Sequence, residues 1–198
     1  IRYPLTMKIK FALPILSLTL MLAAVRSAES QPIVISTAHS SLVLARTSGG
    51  RMAELYYGAK EPGMAASAKV PGRELELYPQ YGDGFGENFL PEPALQATHA
   101  DGNTSTDLTY VRHSIETLDT NVTLTRIELK DPAYPFYVTL CFKAYFNQDM
   151  MEQWTEIRQE EKGTVILHRY DSCAPLFQAG EYWLTQFYGD YRREATLD

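Results

Sequence analysis

The chain has 198 residues, of which 45% are hydrophobic and 12% aromatic. That is enough apolar side chain for one compact unit, which at this size buries roughly 70% of its unfolded surface. It carries 18 basic and 24 acidic residues, and the longest basic run is Arg192-Arg193. A polyanion-binding surface needs clustered Lys and Arg to displace condensed counterions, so nucleic acid is excluded as an expected partner.

The N-terminus reads as a processed leader. Lys8 and Lys10 precede an apolar run over residues 11–25, and Val25-Arg26-Ser27 supplies a cleavage region, the layout of a secretory signal peptide. A buried N-terminal helix fits less well, because Pro14 interrupts it early and no polar face is left for water. Met7 is the natural initiator. Residues 1–6 are therefore expected to be upstream translation, 7–27 the signal peptide and 28–198 one β-sandwich domain whose C-terminal boundary stays open. Removing the leader leaves 14 basic against 24 acidic residues, a formal charge of −10 that supports solubility. No later segment approaches the ~20 apolar residues needed to span a bilayer, so no membrane span is expected after cleavage.

Along the mature chain the apolar residues recur with period two, and no window of ten or more carries a helical stripe. Strands are predicted over residues 33–37, 42–46, 52–57, 108–116, 122–129, 136–146, 151–158, 165–170 and 182–188. In the most regular of them Phe136, Val138, Leu140, Phe142, Ala144 and Phe146 share one face, expected to be core, while Tyr137, Thr139, Cys141, Lys143 and Tyr145 share the other. Between 122 and 129 the apolar positions switch parity, from Val122 and Leu124 to Ile127 and Leu129, which a β-bulge near Thr125 would explain. Ser48-Gly49-Gly50, Asp101-Gly102-Asn103, Asp119-Thr120-Asn121, Asp131-Pro132 and Glu161-Lys162-Gly163 supply the turn chemistry that reverses antiparallel strands. The fold class is all-β, a large sandwich of antiparallel sheets. Residues 58–93, rich in Gly and Pro, interrupt this regularity as a long loop, and long loops often carry function.

Residues with chemical potential are few. Cys141 and Cys173 could form one bridge in an oxidising compartment, but the plainer expectation for Cys141, inside an apolar strand, is a small buried thiol. His39, His99, His113 and His168 are scattered without the spacings that gather metal ligands, so no metal and no cofactor is expected. Glu152, Glu156, Glu160 and Glu161 form an acidic cluster, yet Glu152 and Glu156 share a strand face with Trp154, and charge on the wet face of an antiparallel sheet is the default.

Three spaced blocks of this sequence resemble a known family. The first is Tyr81-Gly82 with Glu92-Pro93-Ala94-Leu95, followed by Asp101-Gly102, Leu108 and Tyr110. The second is Gln153-Trp154 with Glu156-Ile157-Arg158, and the third is Tyr182-Trp183-Leu184-Thr185 with Phe187 and Gly189-Asp190. In this order, from about Ser40 to the end, they resemble the N-terminal β-sandwich domain, or supersandwich, of the glycoside hydrolase family 36 α-galactosidases. Pro91 stands where an Arg often precedes the Glu-Pro pair, and Tyr188 and Tyr191 replace a frequent His and Trp.

The resemblance implies hydrolysis of terminal α-galactosides of the melibiose and raffinose type, with retained anomeric configuration. Such chemistry uses two carboxylates roughly 5–5.5 Å apart; in this family both are aspartates on a (β/α)8 barrel, the nucleophile in a Lys-Trp-Asp-like motif. Neither Trp154 nor Trp183 lies in that motif, and no βαβα pattern is present in which a barrel could hide. The chain is therefore expected to hold no catalytic residue and to hydrolyse nothing alone. Its expected partners are the catalytic barrel of the same polypeptide, further copies in a homo-oligomer and the galactoside substrate. The expected setting is export to a bacterial periplasm or exterior.

Aromatic side chains can stack on sugar rings. For Tyr182, Trp183 and Phe187 core packing is the stronger expectation, whereas the loop residues Tyr78, Tyr81, Phe85 and Phe89, with Asp83 as a hydroxyl acceptor, are the candidates for a substrate-pocket rim. The alternative from another class is a free-standing carbohydrate-binding sandwich; a structural adhesion sandwich would lack the three ordered blocks.

Overall fold

A computed structural model of the chain describes residues 31–63, 76–79, 92–175, 181, 183, 185, 187–190 and 193–197. The leader and the loop residues 80–91 lie outside this set. No helix occurs among the described residues. Eleven strands do: β1 Ile33–Ser36, β2 Ser40–Arg46, β3 Met52–Ala59, β4 Leu95–Thr98, β5 Thr109–Thr117, β6 Val122–Lys130, β7 Phe136–Tyr145, β8 Met150–Gln159, β9 Ile166–Tyr170, β10 Phe187–Asp190 and β11 Arg193–Leu197. All pairings are antiparallel, in sheets ordered β1-β2-β3, β5-β6-β7-β8, β4-β9 and β10-β11.

The four-stranded meander follows the predicted punctuation. Asp119 to Asn121 turns β5 into β6, Asp131 and Pro132 turn β6 into β7, and Gly50 (φ 85°) and Gly102 (φ 90°) occupy left-handed backbone that a Cβ disfavours. One face of the meander is apolar. Phe136, Val138, Leu140, Phe142 and Ala144 of β7 are all buried, and they join Ile127 and Leu129 of β6, Ile33, Ile35, Leu42, Leu44 and Met52 of the three-stranded sheet, and Leu95 and Ala97 of β4 in one core. Burying each of the Val, Leu, Ile, Phe and Met side chains among them contributes about 1.5–3 kcal/mol of transfer free energy, which holds the layers face to face.

Three expectations are corrected here. β6 has no bulge near Thr125: its ladder to β7 runs unbroken from Val122↔Tyr145 to Lys130↔Tyr137. The parity switch arises because this central strand is buried on both faces, Val122 and Leu124 outward beside Tyr145 and Lys143, and Thr125 inward against Phe142. The bulge lies in β5, where Tyr110 pairs with Leu129 and Arg112 with Glu128, leaving Val111 as the extra residue. Phe146 is 45% exposed, because β7 ends at Tyr145 and the chain then turns, with Asp149 N–H donating to the Phe146 carbonyl. Trp183 is 90% exposed instead of packed in the core; the strand that was to bury it begins only at Phe187, so face alternation does not reach it.

β4 and β11 were absent from the predicted set. β4 is four residues long, with only Leu95 and Ala97 inward, and β11, Arg-Glu-Ala-Thr-Leu, alternates over only its last four residues.

Candidate functional site

The rim candidates Tyr81, Asp83, Phe85 and Phe89 lie outside the described residues, but the chain on either side of them is placed. On the entering side Glu76 pairs with Ala53 of β3, and Leu77 N–H donates to the Met52 carbonyl at 2.9 Å. Tyr78, expected at an exposed rim, is corrected to a core residue. Its ring is buried and its hydroxyl donates to the Asp171 carbonyl at 3.1 Å. Burial pushes its phenol up to about 12, partly offset by the Thr155 hydroxyl. On the returning side Ala94 N–H donates to the Pro79 carbonyl at 2.8 Å, and Asp171 N–H donates to the Ala94 carbonyl at 2.9 Å. Arg169 of β9 bridges Glu92 and Asp171. The two ends of the loop are thus one hydrogen bond apart on a base clamped to β3, β4 and β9.

The acidic cluster is divided among separate tasks. Glu152 accepts from the Tyr145 hydroxyl at 2.9 Å, Glu156 from the Trp154 indole at 3.1 Å, and Glu160 pairs with Arg158. Glu161 leaves the wet face altogether. Its carboxylate meets His99 Nδ1 at 2.7 Å and accepts from Ala100 N–H at 2.9 Å, with both side chains buried. His99 is stacked on Tyr134, ring centroids 3.7 Å apart, and meets Phe136 edge-on. The sequence showed His99 as one of four scattered histidines and Glu161-Lys162-Gly163 as a turn; what it lacked was that this turn packs at Gly163 against Ala100 and so delivers Glu161. Among the described residues no three His, Cys, Asp or Glu side chains converge as metal ligands.

Cys141 is buried and unbridged, its thiol pushed up to about 11 first by burial and then by the Glu156 charge. Cys173 is exposed and also unbridged.

A further feature lies on the outward face of the meander, an open concavity of about 590 Å³ whose lining includes Arg112, Lys130, Tyr137, Thr139, Glu156 and Arg158. The sequence had assigned Tyr137 and Thr139 to the outer face. The β5 bulge that brings Arg112 beside them was not legible.

The Glycosyl hydrolase family 36 N-terminal domain profile matches residues 49–198. The chain belongs to that family. No curated protein sequence matches it. Among solved structures it is similar to the α-galactosidase from Lactobacillus brevis, at 19% identity and TM-score 0.69, covering 84% of this chain and 26% of that one. It is also similar to the GH36 α-galactosidase AgaB from Geobacillus stearothermophilus, at 19% identity and TM-score 0.59, covering 74% and 24% of the two chains. A form of AgaA from the same organism, in complex with raffinose, aligns at 21% identity and TM-score 0.57 over 72% of this chain and 24% of that one. At these identities the likeness is one of fold. The chain spans about a quarter of the length of these family 36 relatives.

Proposed function

We propose that this chain is the non-catalytic N-terminal sandwich of a secreted, retaining α-galactosidase acting on terminal α-galactosides of the melibiose and raffinose type. The reading rests on the family 36 N-terminal profile over residues 49–198. In it the reactive aspartates belong to a (β/α)8 barrel encoded beyond residue 198, and the sandwich supports that barrel and subunit assembly. In this reading Tyr81, Asp83, Phe85 and Phe89, in the segment whose ends are joined at Pro79 and Ala94, contribute to the rim of the sugar pocket. Every acid of the cluster at 152–161 already has an internal partner, which is consistent with a scaffold role.

The test is to read the gene past Asp198 and assay both products on p-nitrophenyl α-galactoside. The extended polypeptide is expected to release p-nitrophenol and residues 1–198 alone to release none. Turnover by the short chain, or a reading frame without a barrel, overturns the proposal.

A further inference from the structure

The outward face of the meander is organised in cross-strand rows. One runs Thr109, Lys130, Tyr137, Arg158 and the next Arg112, Glu128, Thr139, Glu156. Residues directly opposite in an antiparallel pair have Cβ atoms about 4.5–5.5 Å apart, so each row is a continuous line of side chains. Thr139, the shortest member of its row, stands between Glu128 and Glu156, and the floor dips there. The β5 bulge at Val111 supplies one wall, and the concavity of about 590 Å³ lies within the roughly 300–1,000 Å³ range of small-molecule sites.

Two of its three cations are ion-paired. The Arg112 guanidinium grips Glu128 in a fork, with contacts of 2.9 and 2.8 Å, and Arg158 pairs with Glu160 while lying 3.9 Å from the centroid of the Tyr137 ring. Lys130 lies 5.7 Å from the same centroid, with Glu156 two strands away in the adjacent row. An anion entering here meets Glu128 and Glu156, and a cation meets Arg112, Lys130 and Arg158. A neutral ligand with many hydroxyls is repelled by neither, since each hydroxyl both donates and accepts. The cations at the Tyr137 ring leave hydrogen bonding, not ring stacking, as the means of recognition.

We infer that this concavity binds a neutral polyhydroxylated ligand, an oligosaccharide, through side chains of β5, β6, β7 and β8. Only the choice of oligosaccharide among polyols rests on the function proposed above.

The experiment is amide chemical-shift mapping of the full 198-residue chain titrated separately with raffinose, citrate and spermidine. Raffinose is expected to shift residues 112, 128, 130, 137, 139, 156 and 158. Thr139→Trp, which fills the dip, is expected to weaken binding at least tenfold, and the near-isosteric Glu156→Gln, which preserves the fold, several-fold. Glu116→Gln, on the same sheet face outside the concavity, should leave it unchanged. Preferential binding of citrate or spermidine overturns the inference, as do raffinose shifts confined to residues 80–91 or insensitive to both concavity variants, and so does the absence of any shift. Because no hydrolysis is measured, sugar binding here with an inactive extended gene product would sustain this site and sink the α-galactosidase reading.

Discussion

At the scale of single residues, Tyr78 shows how a loop can be anchored by one side chain. A buried phenol whose pKa rises from 10.0 to about 12 is held protonated by the fold. The unfolded chain begins to lose that proton near pH 10, so the stability it contributes is fully present below that pH and falls as pH climbs towards 12. Tyr78→Phe removes the bond to the Asp171 carbonyl and is expected to cost about 1 kcal/mol in urea unfolding at neutral pH, while Tyr78→Ala, which opens a cavity, costs about 3–5 kcal/mol. The diagnostic measurement is the alkaline arm: between pH 10 and 12 the wild-type stability should fall more steeply than that of Tyr78→Phe. Parallel slopes would show that this phenol does not carry the effect.

At the scale of elements, the His99 and Glu161 pair ties the segment after β4 to the turn between β8 and β9. Glu161 satisfies two donors at once, the imidazole and the Ala100 amide. Replacing it with Ala strands the buried imidazole, which costs about 1–3 kcal/mol, while the exposed Ala100 amide turns to water. Glu161→Ala is therefore expected to lower the unfolding free energy by about 1–3 kcal/mol, whereas Glu152→Ala, on the wet face of β8, should change it by less than about 0.5 kcal/mol. Similar losses in a urea titration of both variants would contradict this division of the acidic cluster. The contrast also marks what was legible. Face alternation in β7 assigned Phe136 to Ala144 to the core because side-chain period two is a local rule. The partner of Glu161, the depth of Tyr78 and the bulge at Val111 depend on which strands meet across long sequence separations, and no local pattern encodes that. β4 was invisible for the same reason, since two inward residues become a strand only when β9 supplies the ladder.

At the scale of the whole molecule, the apolar surface is unevenly covered. Among the described residues β5 pairs only with β6 and exposes Val111 and Ile115, at 51% and 56%, while β9 pairs only with β4 and exposes Ile166, Leu167 and Tyr170. An outer strand with apolar side chains and open backbone groups is a template for intermolecular pairing. The isolated chain is therefore expected to self-associate as concentration rises in sedimentation velocity, and the double variant Ile115→Lys, Ile166→Lys is expected to shift it towards monomer with little change in unfolding midpoint. If the longer polypeptide of the proposed function covers these strands, hydrogen exchange at the amides of β5 and β9 should slow in it by at least tenfold relative to residues 1–198, while β7, already central, should change little. A chain that stays monomeric at every accessible concentration, with β5 and β9 exchanging equally in both forms, would show that the bulge at Val111 and the twist of these strands suffice to guard the edges, leaving further polypeptide no part in covering them.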